Sequence, residues 1–266
     1  MKIKEIHHDD WYSFANQIIR SGEDSNGFFR GQKNPEWGLV PGAYRQRETH
    51  DDTSAISGDD YSDIYLERFR KYASGVLSDA HNLPVDDDDQ LVIWAQNYGL
   101  KTRLLDWSLS PFVAAFFAYA DIAEDVVDCI NEQRDISWIK NTEVVVWHLD
   151  KNSIPFGVEM LRTVPKRMHR TTSQGSVLLT VDPSICTDIL KAPAQDWMTS
   201  IGDDPGSRPI NKHVLPGKDC FIALDVLRSM NIHYASLFPD LYGAAKQANM
   251  ENQYKAFAYV MRRESL

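Results

Sequence analysis

Apolar residues along this chain follow two rhythms, a helical return every three or four positions and short continuous runs, and the two are interleaved from end to end. Trp11, Phe14, Ile18 and Ile19 recur at intervals of three, four and one, which predicts a helix of about ten residues with one face on the core. Tyr61, Ile64, Tyr65, Phe69, Tyr72 and Val76 predict a second helix over 61–77, supported by Glu67 and Lys71 at i,i+4. The acidic run 86–89 precedes Leu91, Ile93, Trp94 and Tyr98, where negative charge suits a helix N-terminus. A solvated cap is preferred there over a metal site. Gly99 ends that helix, 101–108 reads as a short, partly buried segment, and Pro111, capped by Ser108 or Ser110, opens a core helix. Phe112, Ala115, Phe116 and Tyr119 are spaced for that helix, and Ala114, Ala115 and Ala118 permit close packing. Phe28 and Phe29 imply a core strand, and further strands are predicted over 143–149, 175–181 and near 213–215. The stretches 45–60 and 203–209 read as loops; 221–230 and an interrupted 241–259 read as helices. With no repeat and no linker, these signals predict one α+β domain over 1–266: a mixed, mainly antiparallel central sheet with flanking helices.

Composition is that of an ordinary globular chain: 266 residues, 43% hydrophobic and 25% charged. Against 28 Lys and Arg stand 38 Asp and Glu, a net charge of −10 that disfavours loose adhesion to nucleic acid or anionic lipid. Cys129, Cys186 and Cys220 are odd in number and lack CxxC spacing, so core thiols in a reducing compartment are expected rather than disulfides or zinc. Residues 1–10 hold no apolar targeting segment, and the longest apolar run, 111–120, is cut by Asp121. The expectation is a cytoplasmic protein with no membrane partner.

Candidate chemistry starts at Arg30. It stands where a strand bends at Gly31, followed by Gln32, and a planar guanidinium can fork onto phosphate or carboxylate oxygens. A structural arginine paired with a core carboxylate is the competing reading. Thr102 to Asp106 and Gln174-Gly175 also set polar side chains at element ends, from which they could converge with Arg30 on a cleft. Arg103 and Asp106 could equally pair with each other, or Asp106 could orient Arg30 or Arg103. Gln174, a neutral amide, can orient a ligand but cannot act as a general base. Arg162, Lys166, Arg167, His169 and Arg170 form the one basic cluster, either a solvated face or a contact for nucleic-acid phosphates. No GxSxG elbow is present, and His7-His8-Asp9-Asp10 reads as a frayed end rather than a metal site.

Several of these stretches together resemble the FRG domain family. Phe29-Arg30-Gly31-Gln32, followed by Trp37, Leu39, Pro41 and Arg45, is similar to its first motif, and the stretch from Ala95 to Ser108 to its second, continued by the 111–118 helix. Arg170 with Gln174-Gly175 resembles a third motif and 237–243 a C-terminal signature, so the motif core spans about 11–248. Asn97 stands where many members carry His, and Lys101 where they often carry Pro. The order of strand, segment, helix and later strand also resembles, at fold level, NAD folds of the ADP-ribosyltransferase kind. That resemblance implies NAD as substrate. Arg30 would hold ribose or pyrophosphate, with Gly31, Gln32 and Arg103 as further contacts, and Tyr98 and Thr102 would line the nicotinamide pocket. Gln174 stands at the late position usually held by Glu, so Asp106 or Glu143 would supply the anion. It further implies a transferase or NAD glycohydrolase, a bacterial toxin or antiphage effector, with a nucleic-acid or protein acceptor and an antitoxin as partners. The alternative is a non-catalytic module that binds an anionic ligand, a nucleotide or a protein partner.

Overall fold

A computed structural model describes residues 3–22, 27–44, 58–76, 87–154, 158–161, 173–181 and 210–264. Seven strands form one sheet: β1 (Ile3–His7), β2 (Gly27–Gln32), β3 (Leu104–Ser108), β4 (Glu143–Asp150), β5 (Val158–Leu161), β6 (Ser176–Val181) and β7 (Ile210–Pro216). Their spatial order is β1-β7-β4-β2-β3-β6-β5, parallel only between β1 and β7. Around them lie α1 (Trp11–Ser21), α2 (Gly58–Val76), α3 (Asp88–Asn97), α4 (Pro111–Asn131), α5 (Cys220–Ser229), α6 (Tyr234–Leu237) and α7 (Leu241–Glu264). The class is therefore α+β with a mainly antiparallel central sheet, as the interleaved rhythms predict.

Alternation along the strands sorts the core. Val144 and Val146 of β4 pack with Phe29 under α4, while Val145, Trp147 and Leu149 join Phe28, Leu105, Trp107 and Leu179 on the opposite face. A third cluster seals α3 against Leu104 and Leu178. Helix α4 is the central cover. Ser110 caps it by accepting from the Val113 amide, Pro111 fills its first position, and 13 of its 21 residues are buried. A helix buried on most sides needs small residues wherever backbones approach, and Gly31 of β2 meets it at Ala114 and Ala118, where a Cβ would overlap the Ala114 carbonyl.

Several expectations are corrected. Ile19 is exposed, so α1 buries only Trp11, Phe14 and Ile18, a narrower stripe at i, i+3 and i+7. Of the supposed loop 45–60, residues 58–60 already belong to α2; 45–57 lie outside the described residues. The segment 101–108 contains strand β3, and α7 runs without interruption. Residues 7–10 are not frayed. His7 closes β1, Asp10 caps α1 by accepting from the Ser13 amide at 2.6 Å, and a buried Asp219 carboxylate accepts the Trp11 amide at 2.8 Å. Strand β5 has no counterpart in the apolar pattern. The loop at 203–209, the basic cluster at 162–170 and Cys186 fall outside the described residues, whereas Cys129 and Cys220 are buried free thiols.

Candidate functional site

The sheet is split beside α4. β2 and β3 pair only at Phe29 and Ser108, whereas β2 runs alongside β4 from Gly27 to Gln32 and β3 alongside β6 from Leu104 to Ser108. Beyond Phe29 the two strands diverge, and the Arg30 Nη1 crosses the gap to the Asp106 carbonyl at 2.7 Å. Over this gap opens a cleft of about 370 Å³, within the range of small-molecule sites. Phe29, Arg30, Gly31, Asp106, Gln174 and Phe238 are among its lining residues, with Gln96, Asn97, Phe117 and Asp121 from the covering helices.

A relay of hydrogen bonds sets the Asp106 side chain. The Leu104 amide donates to the Thr102 hydroxyl oxygen at 3.2 Å, which leaves that hydroxyl to donate onward to Gln96 Oε1. With its oxygen engaged, the Gln96 amide presents Nε2 to Asp106 Oδ1 at 2.8 Å. The carboxylate is thereby held at the exposed mouth of the cleft by a donor whose orientation is itself constrained. Ser108 does the same for the far wall. Its hydroxyl donates to the Gln174 carbonyl at 2.8 Å and accepts from the Ser110 amide at 3.0 Å, while Leu109 donates to the Gly175 carbonyl at 2.9 Å. The Gln174 amide donates to the Leu237 carbonyl at 3.1 Å, tying the third motif to the C-terminal one.

Of the residues singled out from sequence, Arg30, Gly31, Asp106 and Gln174 meet in the cleft. The others stand outside its lining. Thr102 is buried behind Gln96. Tyr98 is 72% exposed and stacks on Trp94. Gln32, on the same face of β2 as Arg30, is buried and engaged elsewhere, accepting from Trp147 Nε1 at 2.7 Å and donating to the Gly38 carbonyl at 3.3 Å. Arg103 is half-buried, with an Nε that finds no hydrogen-bond partner among the described residues. Glu143 lines a separate hollow with Lys33, Trp37 and Asp125. Gln96, Asp121, Phe117 and Phe238 were not singled out as site residues. Asp121 had a signal, the one charge inside the apolar run of α4, but it read as the end of that run.

Asp121 is exposed by surface area, yet the surface it shows faces into the cleft. There the surrounding protein withholds enough water to push its carboxyl above the usual range, with Glu124 and Asp125 adding to the effect and Lys33 and Lys246 opposing it. Arg30 thus shares the cleft with two carboxyl groups, three amide side chains and aromatic walls. Such a set can orient a polar ligand, hold an anionic group at one point and stabilise positive charge at two others. Among the described residues no group of His, Cys, Asp and Glu could hold a metal ion, and no helix is long and apolar enough to cross a membrane.

Residues 25–126 match the family model of the FRG domain, so the chain carries an FRG domain spanning β2 through most of α4. That span includes every cleft residue named above except Gln174 and Phe238. No curated protein and no solved structure matches the chain.

Proposed function

We propose that the cleft binds NAD and that the protein is an ADP-ribosyltransferase or NAD glycohydrolase. The observation that carries this reading is the convergence of Arg30, Asp106 and Gln174, from three separate stretches of sequence, on one aromatic-walled cleft of small-molecule size. Breaking the bond between nicotinamide and ribose leaves positive charge on the sugar, and an oriented carboxylate beside that charge lowers the barrier. Asp106, steadied by Gln96, has the charge that Gln174 lacks. Glu143, in its separate hollow, is withdrawn as the source of the anion. Arg30 would meet the ribose or pyrophosphate through its guanidinium. Gln174 would contribute its amide dipole from the opposite wall. A nucleic-acid or protein hydroxyl in place of water would turn the glycohydrolase into a transferase. Depletion of NAD or modification of an essential acceptor would suit a toxin or antiphage effector kept in check by an antitoxin.

One observation favours the alternative of a non-catalytic binding module. Arg30 and Gln174 each spend a donor on a backbone carbonyl of the protein itself, as residues that shape a cleft do. Incubation with NAD, with nicotinamide release and a ligand-induced thermal shift as readouts, separates the readings. Release supports the enzyme, a thermal shift without release supports the binding module, and neither signal removes NAD from the account.

A further inference from the structure

Ala114, Phe117 and Asp121 follow one another at three and four residues and form the stripe of α4 that faces the cleft. Asp121 is the one charged residue of that stripe. The two acidic residues a turn further on are neutralised by lysines. Glu124 accepts from Lys246 Nζ at 2.7 and 2.8 Å and from the Tyr234 hydroxyl at 2.7 Å, and Asp125 accepts from Lys33 Nζ at 2.9 Å. Asp121 makes no hydrogen bond or ion pair with any described residue. Close to it in the same cleft, Phe117 meets Phe238 edge to face, with centroids 6.1 Å apart and planes at 90°. A carboxylate without a hydrogen-bond or ion-pair partner beside aromatic faces is a poor place for phosphate. It suits a flat cation, which gains from the carboxylate and from the negative ring faces together.

We propose that the Asp121 end of the cleft receives a positively charged aromatic ring, which in NAD is the nicotinamide pyridinium; in that form the inference rests on the NAD reading above. It divides the cleft by charge, with Arg30 at the phosphate and ribose end and Asp121 at the ring end. The oxidised and reduced dinucleotides differ in the charge of this ring, so the site selects NAD over NADH. Asp121 is kept for binding at some expense of stability, because its surroundings make the ionised form costlier in the folded protein than in the unfolded chain. In the pH window between its ordinary value and its raised one, the folded protein holds more protons than the unfolded chain, and stability falls as pH rises. Asp121→Asn is isosteric and uncharged, and its Tm at pH 7 is therefore expected to equal or exceed that of the wild type.

The test is calorimetric titration of wild type and Asp121→Asn with NAD, NADH and 1-methylnicotinamide, methylated on the ring nitrogen and so a probe of the cationic ring alone. NAD is expected to bind wild type at least about tenfold more tightly than NADH, and the substitution to abolish that preference. 1-Methylnicotinamide is expected to bind the wild type only. Equal affinity for NAD and NADH, or an undiminished preference in the variant, overturns the inference. If neither dinucleotide binds while 1-methylnicotinamide still separates the two proteins, the NAD reading fails and the cation site stands. If none of the three binds, both fail.

Discussion

The guanidinium of Arg30 and the main-chain carbonyl of Asp106 are joined at 2.7 Å across the point where β2 and β3 part. The side chain thus does in part what the interrupted ladder would have done, satisfying a carbonyl that the cleft leaves without its strand partner. Holding the sheet and facing a ligand are therefore duties of one residue, which a substitution series can separate. Arg30→Lys keeps the charge but loses the planar fork. It is expected to lower stability in urea by about 1–2 kcal/mol and nicotinamide release by roughly 100-fold. Arg30→Ala is expected to be worse in both respects. Equal loss of stability and of activity across the two variants would mean that the arginine is purely structural.

Gly31 sets the distance between β2 and α4. A Cβ at this position would overlap the Ala114 carbonyl and crowd the Ala118 amide, both backbone groups of a helix buried on most sides. No side chain can swing away to make room. Gly31→Ala is expected to cost about 1–3 kcal/mol in chemical denaturation and, by displacing α4, to weaken binding of any cleft ligand. An alanine variant as stable as the wild type would show that the two elements separate easily.

The fold was largely legible because its elements carry strong periodicity. The run from Phe112 to Tyr119 and the valines of β4 could hardly be read otherwise. β3 was missed because Leu104-Leu105 are followed by Asp106, whose charge interrupts a five-residue strand just where the sheet opens, so the feature that makes the site also hides the strand. β5 was missed because Val158–Leu161 is short and lies at the sheet edge, where Glu159 and Met160 are exposed. In the cleft, Arg30, Gly31, Asp106 and Gln174 were visible as polar residues at element ends. Thr102, Gln32 and Tyr98 looked equivalent in sequence, but Gln32, although it shares the Arg30 face of β2, is taken up by Trp147 and the Gly38 carbonyl, Thr102 is buried behind Gln96, and the turn after α3 leaves Tyr98 exposed. Phe238 was out of reach, since nothing local says that the segment between α6 and α7 reaches a cleft built mostly from the first half of the chain.

Thr102 links a buried hydroxyl to the cleft carboxylate through Gln96. Thr102→Val preserves shape, strands the Leu104 amide and leaves Gln96 Oε1 without its donor. A loss of about 1–3 kcal/mol is expected from the buried donor alone. Gln96 is then free to turn its oxygen toward Asp106, which would repel the carboxylate from its held position. The maximal rate of nicotinamide release should fall more than the affinity for NAD changes, and a crystal structure of the variant should show the Gln96 amide turned or the Asp106 carboxylate displaced. An unaltered Gln96–Asp106 contact would break the proposed relay.

Away from the cleft, a stack of histidines joins the N-terminal strand to the sheet. His8 Nε2 lies 3.0 Å from His213 Nδ1, and the His148 and His213 rings stack with centroids 6.4 Å apart. His213 is 1% exposed, opposite Ile6 of β1 and Val146 of β4. Burial first, and then the nearness of His8, His148 and Lys4, push its pKa from 6.5 down to about 3, and burial also lowers that of His8. With a depressed native pKa, the unfolded chain binds the proton that the folded one refuses. Stability from this source is complete above about pH 6.5 and drains away as pH falls toward 3. Urea unfolding measured at intervals from pH 7 to pH 4 is expected to lose up to about 1.4 kcal/mol per pH unit on account of His213. His213→Gln, which cannot take up a proton, is expected to be less stable than the wild type at pH 7 but to lose stability with acid more slowly, by close to one proton in the slope. The same slope in both proteins would show that His213 is not the group that acid attacks.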